Sequence, residues 1–111
     1  MTRMLDTKEF ESLILDEMQV NHLDKVMEIE QQAYPFPWKR SMFVTSLSSK
    51  DACFVLIGDQ EIVGYAIVSF ILDEAHLLNI CISPENEGVG LGRLMLRQIV
   101  MLAIERKSAM F

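Results

Sequence analysis

Residues 79–93, with the sequence NICISPENEGVGLGR, constrain the fold of this chain more than any other segment. They read as an apolar strand, a proline stop, a glycine-rich loop and the start of a long apolar helix. Glycines at positions 88, 90 and 92 leave the backbone amides uncovered where the helix begins. Unpaired amides and the positive end of a helix dipole attract anions. The turn therefore predicts a site for the phosphate or pyrophosphate of a cofactor.

An alternative interpretation is that the glycines only make a tight strand-to-helix turn, because glycine patterns alone are weakly specific. Two common phosphate-binding motifs do not fit this segment. A dinucleotide-binding fingerprint follows the first strand of its domain, whereas several elements precede this loop. A P-loop ends in Gly-Lys-Ser/Thr, and no such sequence follows here.

The composition predicts one globular domain over residues 1–111, because half of the residues are apolar. No apolar run reaches the roughly 18 residues of a membrane span, and the N-terminus lacks the features of a secretory signal, so a cytoplasmic location is expected. The net charge of −6 argues against a nucleic-acid binder and suits a basic peptide. Cys53 and Cys81 lie in apolar strand patterns, which predicts buried, reduced thiols and no metal site.

The pattern of apolar residues predicts the element order β-α-α-β-β-β-α. The predicted elements are a strand over 10–18, a helix capped by Asn21 and ending at Ala33, a helix over 39–47, strands over 52–57, 62–72 and 75–82, and a helix over 90–107. Three consecutive strands followed by one helix indicate an α+β fold with a mixed, mostly antiparallel sheet flanked by helices. Residues 1–9 are expected to be irregular.

The end of the chain reads as the opening of another strand, over residues 108–111. The strand that ends at Ile82 would then have an apolar edge with nothing beside it. Such an edge pairs readily with another chain, so self-association through it is expected.

The order of elements and the sequences of residues 80–84 and 88–93 resemble the GNAT superfamily of acetyl-CoA-dependent N-acetyltransferases. More narrowly, AYPFPW at 33–38 and LDEA at 72–75 resemble the bacterial ribosomal-protein alanine N-acetyltransferases. The resemblance runs from about residue 13 to residue 111. It implies transfer of an acetyl group from acetyl-CoA to an amine, with the N-terminal alanine of a ribosomal protein as the acceptor.

The resemblance also implies where acetyl-CoA is held. Backbone groups of Ile80, Cys81 and Ile82 would pair with the pantetheine arm, as an added strand would. Backbone amides of the loop would hold the pyrophosphate, and their residues are Gly88, Val89, Gly90, Leu91, Gly92 and Arg93. The family usually has Gln or Arg where Glu87 stands, and Arg is common at the position of Gly88. This departure predicts weaker CoA binding than in an intact relative.

The resemblance places the general base and general acid beyond Phe111, in a further strand, helix and two strands. The domain is therefore expected to be incomplete at its C-terminus. Glu74 and His76 are candidate bases by residue type, although a solvated turn carboxylate and a strand-edge imidazole are the favoured interpretation. Tyr34 and Tyr65 are candidate acids by residue type only, and Tyr65 is expected in the core or on a sheet face.

Residues 34–38 form a rigid aromatic segment that either lines a peptide groove or caps the core, with core packing favoured for Phe36. Two other functions compete with peptide acetylation. One is a catalytically inactive fragment that binds CoA weakly or self-associates through its open sheet edge. The other is an acetyltransferase for a small-molecule amine.

Overall fold

The computed structural model describes residues 2–109 as five strands and three α-helices. The strands are β1 (Arg3–Met4), β2 (Leu13–Glu17), β3 (Ala52–Gly58), β4 (Glu61–Ile71) and β5 (Glu74–Ile82). The helices are α1 (Leu23–Ala33), α2 (Arg40–Ser48) and α3 (Leu91–Ala109). Short 3-10 turns, Val20–His22 and Pro84–Asn86, precede α1 and α3.

The strands form one sheet in the order β1-β2-β3-β4-β5, and each neighbouring pair is antiparallel. One face of the sheet packs against α3, and the opposite face packs against α1 and α2. The residues of α3 that face the sheet are Leu91, Met95, Ile99 and Leu102, all buried, as their helical spacing predicts. The α+β class with an antiparallel sheet flanked by helices is therefore confirmed.

The irregular structure predicted for residues 1–9 is wrong at Arg3 and Met4, which add the edge strand β1 beside β2. Two residues are too few to show a strand periodicity in the sequence. Contacts with a distant helix hold this strand: the Arg3 guanidinium donates to the Gln98 side chain at 3.1 Å and lies 3.8 Å from a carboxylate oxygen of Glu105.

The predicted cap of the first helix is also wrong, because Asn21 lies inside the 3-10 turn that precedes α1. The turn is closed instead by the Gln19 backbone N–H, which donates to His22 Nδ1 at 2.9 Å. A polar residue before an apolar helical pattern predicts a cap, but the extra turn moves the helix start to Leu23.

The strand expected over residues 108–111 is wrong for Ser108 and Ala109, which continue α3. Met110 and Phe111 lie outside the described residues. Good helix formers such as Arg106 and Lys107 let the helix run on without a stop signal. Across residues 2–109, the helices are too short or too polar to cross a membrane.

The hairpin between β3 and β4 gives a stability prediction, because both residues of its two-residue loop have positive φ, 48° at Asp59 and 73° at Gln60. Asp59 is useful there, since its carboxylate accepts from the Ser12 N–H at 2.9 Å. Glycine adopts positive φ without strain. We expect Gln60→Gly to stabilise the fold by about 0.5–1 kcal/mol in urea unfolding. Gln60→Ala is the matched control, and an equal gain there would contradict the backbone explanation.

Candidate functional site

A groove of about 540 Å³ lies between the end of β5, the glycine loop and the start of α3. We call it the glycine-loop groove. It is lined by seven of the nine residues predicted to bind the cofactor: Ile80, Cys81, Ile82, Gly88, Gly90, Leu91 and Gly92. The other two, Val89 and Arg93, are exposed and do not line it. The structure thus brings the strand segment and the loop together around one space.

Two glycines of the loop have a backbone conformation that other residues rarely adopt, with φ of +86° at Gly88 and +85° at Gly90. A Cβ at either position would meet no atom within 4 Å, so conformation rather than space requires glycine there. Gly92 differs, because it lies in the first turn of α3. The first backbone amides of this 19-residue helix have no intrahelical partner and are available to an anion.

The backbone of β5 alternates between the neighbouring strand and the groove. The Ser83 N–H donates to the Val63 carbonyl of β4 at 2.8 Å, and the Cys81 carbonyl also points at β4, 2.8 Å from where a Cβ on Gly64 would lie. Antiparallel pairing then turns the backbone groups of Ile80 and Ile82 outward. The backbone groups of Cys81, which the sequence predicts to meet a ligand, therefore face β4.

The outward carbonyls of Ile80 and Ile82 each accept a hydrogen bond from a side chain of the same protein. The Tyr34 hydroxyl donates to the Ile80 carbonyl at 2.6 Å. The Cys81 thiol donates to the Ile82 carbonyl with a separation of 3.5 Å. Burial is the main cause that raises the pKa of the Tyr34 hydroxyl, followed by the nearby Cys81 and Glu30. Tyr34 is therefore a neutral donor at physiological pH.

A second groove, of about 350 Å³, lies beside the first, and we call it the aromatic groove. Its lining residues are Glu30, Tyr34, Phe36, Trp38, Leu77, Leu78, Asn79 and Ile80. Tyr34 and Ile80 line both grooves. The core packing favoured for Phe36 is wrong, because its side chain is 92% exposed. Trp38 packs against the buried Phe43 with ring centroids 5.1 Å apart.

A β-bulge bends β5 where it passes the aromatic groove. Ile67 of β4 pairs with Asn79, and the next residue of β4, Val68, pairs with Leu77, so Leu78 has no partner. A bulge increases the local bend and twist of a strand and re-aims its side chains. No glycine or proline interrupts residues 74–82, so the sequence does not predict the bulge.

Glu30 is a buried carboxylate that sequence reasoning missed, with 1% of its surface exposed. Its Oε1 accepts from the Tyr65 hydroxyl at 2.6 Å and from the Asn79 side-chain amide at 3.0 Å. Its Oε2 accepts from the Trp38 backbone N–H at 2.9 Å. A signal existed, because position 30 lies four residues after Val26 on the buried face of α1. This network ties α1, β4, β5 and the aromatic segment together.

Glu74 and His76 line neither groove. They lie at the exposed start of β5 and contact each other, with 2.9 Å between His76 Nε2 and a carboxylate oxygen of Glu74. The interpretation as a solvated turn carboxylate and a strand-edge imidazole agrees with this placement.

The buried Cys53 thiol and Tyr65 hydroxyl predict that the free energy of unfolding falls at alkaline pH. Cys53 and Cys81 are free and buried, as the sequence predicted. Burial is the main cause that raises the pKa of the Cys53 thiol to about 11 and raises that of Tyr65 further still.

From about pH 9 the unfolded chain loses the Cys53 proton while the folded chain keeps it, so the free energy of unfolding falls as pH rises towards 11. Urea midpoints between about pH 8 and 10.5 should fall, and less steeply in Cys53→Ala. Equal slopes in both proteins would contradict this assignment.

The fold and the two grooves define a class of protein. The chain belongs to the Acetyltransferase (GNAT) family, whose sequence pattern matches residues 23–110.

Among its relatives is the [ribosomal protein bS18]-alanine N-acetyltransferase of Haemophilus influenzae, which is 32% identical over 93 residues. The match covers 84% of this chain and 64% of that protein. The Escherichia coli enzyme of the same name is 30% identical over 86 residues, which cover 78% of this chain and 58% of the relative. The chain thus spans less than two thirds of the length of either relative.

Solved structures share the fold. The crystal structure of the ribosomal-protein-S18-alanine N-acetyltransferase from Escherichia coli superposes with a TM-score of 0.80 and 29% identity, covering 85% of this chain and 61% of that one. A PaiA N-acetyltransferase from Thermoplasma acidophilum, solved in complex with coenzyme A, has a TM-score of 0.73 at 12% identity and covers 86% of this chain and 74% of that one. At that identity the second likeness concerns the fold alone.

Proposed function

We propose that this chain binds acetyl-CoA in the glycine-loop groove and transfers the acetyl group to the N-terminal amine of a protein, with the N-terminal alanine of a ribosomal protein as the acceptor. The observation that carries the proposal is that seven predicted residues line one groove beside β5, the edge strand of the sheet that residues 2–109 form. The names of the bacterial relatives support the acceptor. A ribosomal acceptor implies a cytoplasmic reaction.

The groove fits the two chemically distinct parts of CoA. Unpaired amides at the start of α3, including those of Leu91, Gly92 and Arg93, would hold the pyrophosphate. Val89 would contribute only its backbone amide, since its side chain does not line the groove. The outward backbone groups of Ile80 and Ile82 would pair with the amides of the pantetheine arm.

One residue of the groove opposes this ligand. Glu87 lines the groove beside Gly88 and Gly90, and its negative charge would repel a pyrophosphate there. Solvent and salt weaken that repulsion at an exposed position. The proposal therefore includes a CoA affinity lower than that of a relative with Gln or Arg at this position.

Acetyl transfer from a thioester to an amine forms an amide bond and releases CoA as a thiol. A polarising donor for the thioester oxygen is available in the outward backbone N–H groups of β5. The amine must lose a proton to attack, and the thiolate must gain one to leave. No residue in the described part of the chain is assigned to these proton transfers. The aromatic groove would receive the acceptor, because Tyr34 and Ile80 are common to both grooves.

Calorimetric titration with CoA tests the first half of the proposal, and heat release together with a raised melting temperature is the expected result. Mass spectrometry tests the second half, using acetyl-CoA and a short peptide that begins with alanine. The same peptide with a blocked N-terminus is the control. Absence of CoA binding by folded protein would overturn the whole proposal. Acetylation of a small amine but not of the peptide would overturn the acceptor.

We propose self-association as a second candidate function, favoured by a specific surface. Leu96, Val100 and Ile104 recur every four residues on the exposed side of α3, and Leu96 also lines the glycine-loop groove. β5 borders the sheet at the same place. A second copy fits there, because strand edges present the same row of donors and acceptors to each other. Sedimentation velocity should then show a dimer that CoA dissociates, and a monomer at all concentrations would contradict it.

A further inference from the structure

We propose that Tyr34 is a latch on the glycine-loop groove, that is, a positioning residue. Its hydroxyl donates a hydrogen bond to the Ile80 carbonyl until a bound ligand displaces it. The proposal rests on the proposed function, since the ligand is the pantetheine arm of CoA. It adds a role for a side chain that this function does not otherwise need.

The position of the hydroxyl is the first argument. Ile80 turns its carbonyl away from β4 and towards the groove, where an amide N–H of an added strand would reach it. The Tyr34 hydroxyl already donates to that oxygen at 2.6 Å. The length is short for a hydrogen bond between neutral groups, so a ligand donor must compete with it.

The attachment of Tyr34 is the second argument. Its backbone N–H donates to the Glu30 carbonyl at 3.1 Å as the cap of α1, and Pro35 restricts the backbone of Tyr34, the residue before it. The main chain is therefore fixed at this point. Tyr34 is 37% exposed, so part of its surface faces solvent. A fixed backbone with a partly exposed ring is what a reversible latch requires.

Tyr34 lies between the two grooves, so its displacement affects both of them. Tyr34 and Ile80 line both grooves, so the hydroxyl-to-carbonyl contact lies where they meet. Displacement of the ring by the arm of CoA opens the boundary at the end where the acetyl group must meet the amine. The latch thus couples arrival of the cofactor to access from the aromatic groove.

A comparison with the Ile82 carbonyl shows why the Tyr34 hydroxyl competes with a ligand more strongly than the other donor does. Ile82 also points its carbonyl outward, and there the donor is the Cys81 thiol at 3.5 Å. A thiol is a much weaker donor than a phenol. Removal of the Cys81 donor should therefore change CoA affinity less than removal of the Tyr34 hydroxyl.

Tyr34→Phe tests the latch, because it keeps the ring and deletes only the hydroxyl. CoA binding measured by calorimetry should become about fivefold tighter, the factor that corresponds to one net hydrogen bond. In the free protein, the ¹³C resonance of the Ile80 carbonyl should move in the direction of a lost hydrogen bond. Tyr65→Phe is the matched control, since its hydroxyl donates to the Glu30 carboxylate and it does not line the glycine-loop groove. Its CoA affinity should equal that of the parent protein.

The outcomes separate the latch from the proposed function. If the parent protein binds CoA and Tyr34→Phe binds no more tightly, the latch is overturned and the proposed function stands. An unchanged Ile80 carbonyl resonance in Tyr34→Phe also overturns the latch. If neither protein binds CoA, both proposals fail.

Discussion

Alanine at position 92 is expected to weaken CoA binding about tenfold or more while leaving the fold at least as stable. Gly92 lies in the first turn of α3 and lines the glycine-loop groove. A Cβ added there would meet only the Ile82 Cγ1 atom, at 3.7 Å, which is ordinary van der Waals contact. The folded protein therefore accepts the methyl group without strain.

The ligand would not accept it, because a pyrophosphate on the amides at the start of α3 must approach the backbone closely. A methyl group in that path costs about 1–3 kcal/mol, as overpacking does in a core, and 1.4 kcal/mol corresponds to tenfold in affinity. The free energy of unfolding should rise, because alanine within a helix is favoured over glycine by about 0.5–1 kcal/mol. Opposite changes in binding and melting temperature are the signature of this prediction.

Calorimetric titration with CoA and a thermal melt of the same preparation measure both quantities. Gly90→Ala is the informative comparison, because φ at Gly90 is +85° and a side chain there strains the backbone. That variant should lose both stability and CoA affinity. If Gly92→Ala binds CoA as the parent protein does, the pyrophosphate does not lie at the start of α3.

The elements that the sequence predicted well are determined by residues that are close together along the chain. The strand predicted over 52–57 differs from β3 by one residue at its end, and that over 62–72 differs from β4 by one residue at each end, because a two-residue turn joins two apolar runs. The inward face of α3 followed from helical spacing alone. The groove was predictable to the extent that a strand, a glycine loop and a helix adjoin in sequence.

The parts that were missed depend on contacts between distant residues. β1 is held by α3, some 95 residues away along the chain from Arg3 to Gln98. The outward direction of the Ile80 backbone depends on the register between β4 and β5, which the sequence of β5 does not contain. The bulge at Leu78 is a property of the same pairing. Sequence therefore located the groove but not which backbone atoms face it.

Glu30→Ala is expected to lower the free energy of unfolding by about 3–5 kcal/mol, the largest loss among the changes considered for this chain. The substitution removes an almost fully buried side chain and leaves three donors without an acceptor: the Tyr65 hydroxyl, the Asn79 amide and the Trp38 N–H. Unpaired buried polar groups cost about 1–3 kcal/mol each when nothing replaces the partner, and water entering the cavity offsets part of that sum. Domains of this size have about 5–15 kcal/mol to lose.

Urea unfolding of Glu30→Ala and Glu28→Ala measures the effect against a matched control. Glu28 lies two residues earlier on the same helix, is exposed, and has only a 3.9 Å pair with Lys25. Its loss should cost no more than about 0.5 kcal/mol. Equal unfolding midpoints for the two variants would show that the Glu30 network contributes nothing to stability.

Glu30→Gln extends the argument from stability to the grooves. Glutamine keeps the volume and one acceptor, but its amide nitrogen would face another donor, either the Trp38 N–H or the Tyr65 and Asn79 pair. If the nitrogen faces Trp38, the aromatic segment loses its tether to α1 while the Tyr65 bond persists. The wall of the aromatic groove then loosens and the glycine-loop groove does not, so the acceptor KM should rise while CoA affinity stays the same. A parallel loss of CoA affinity would show that Glu30 supports the whole sheet edge rather than one groove.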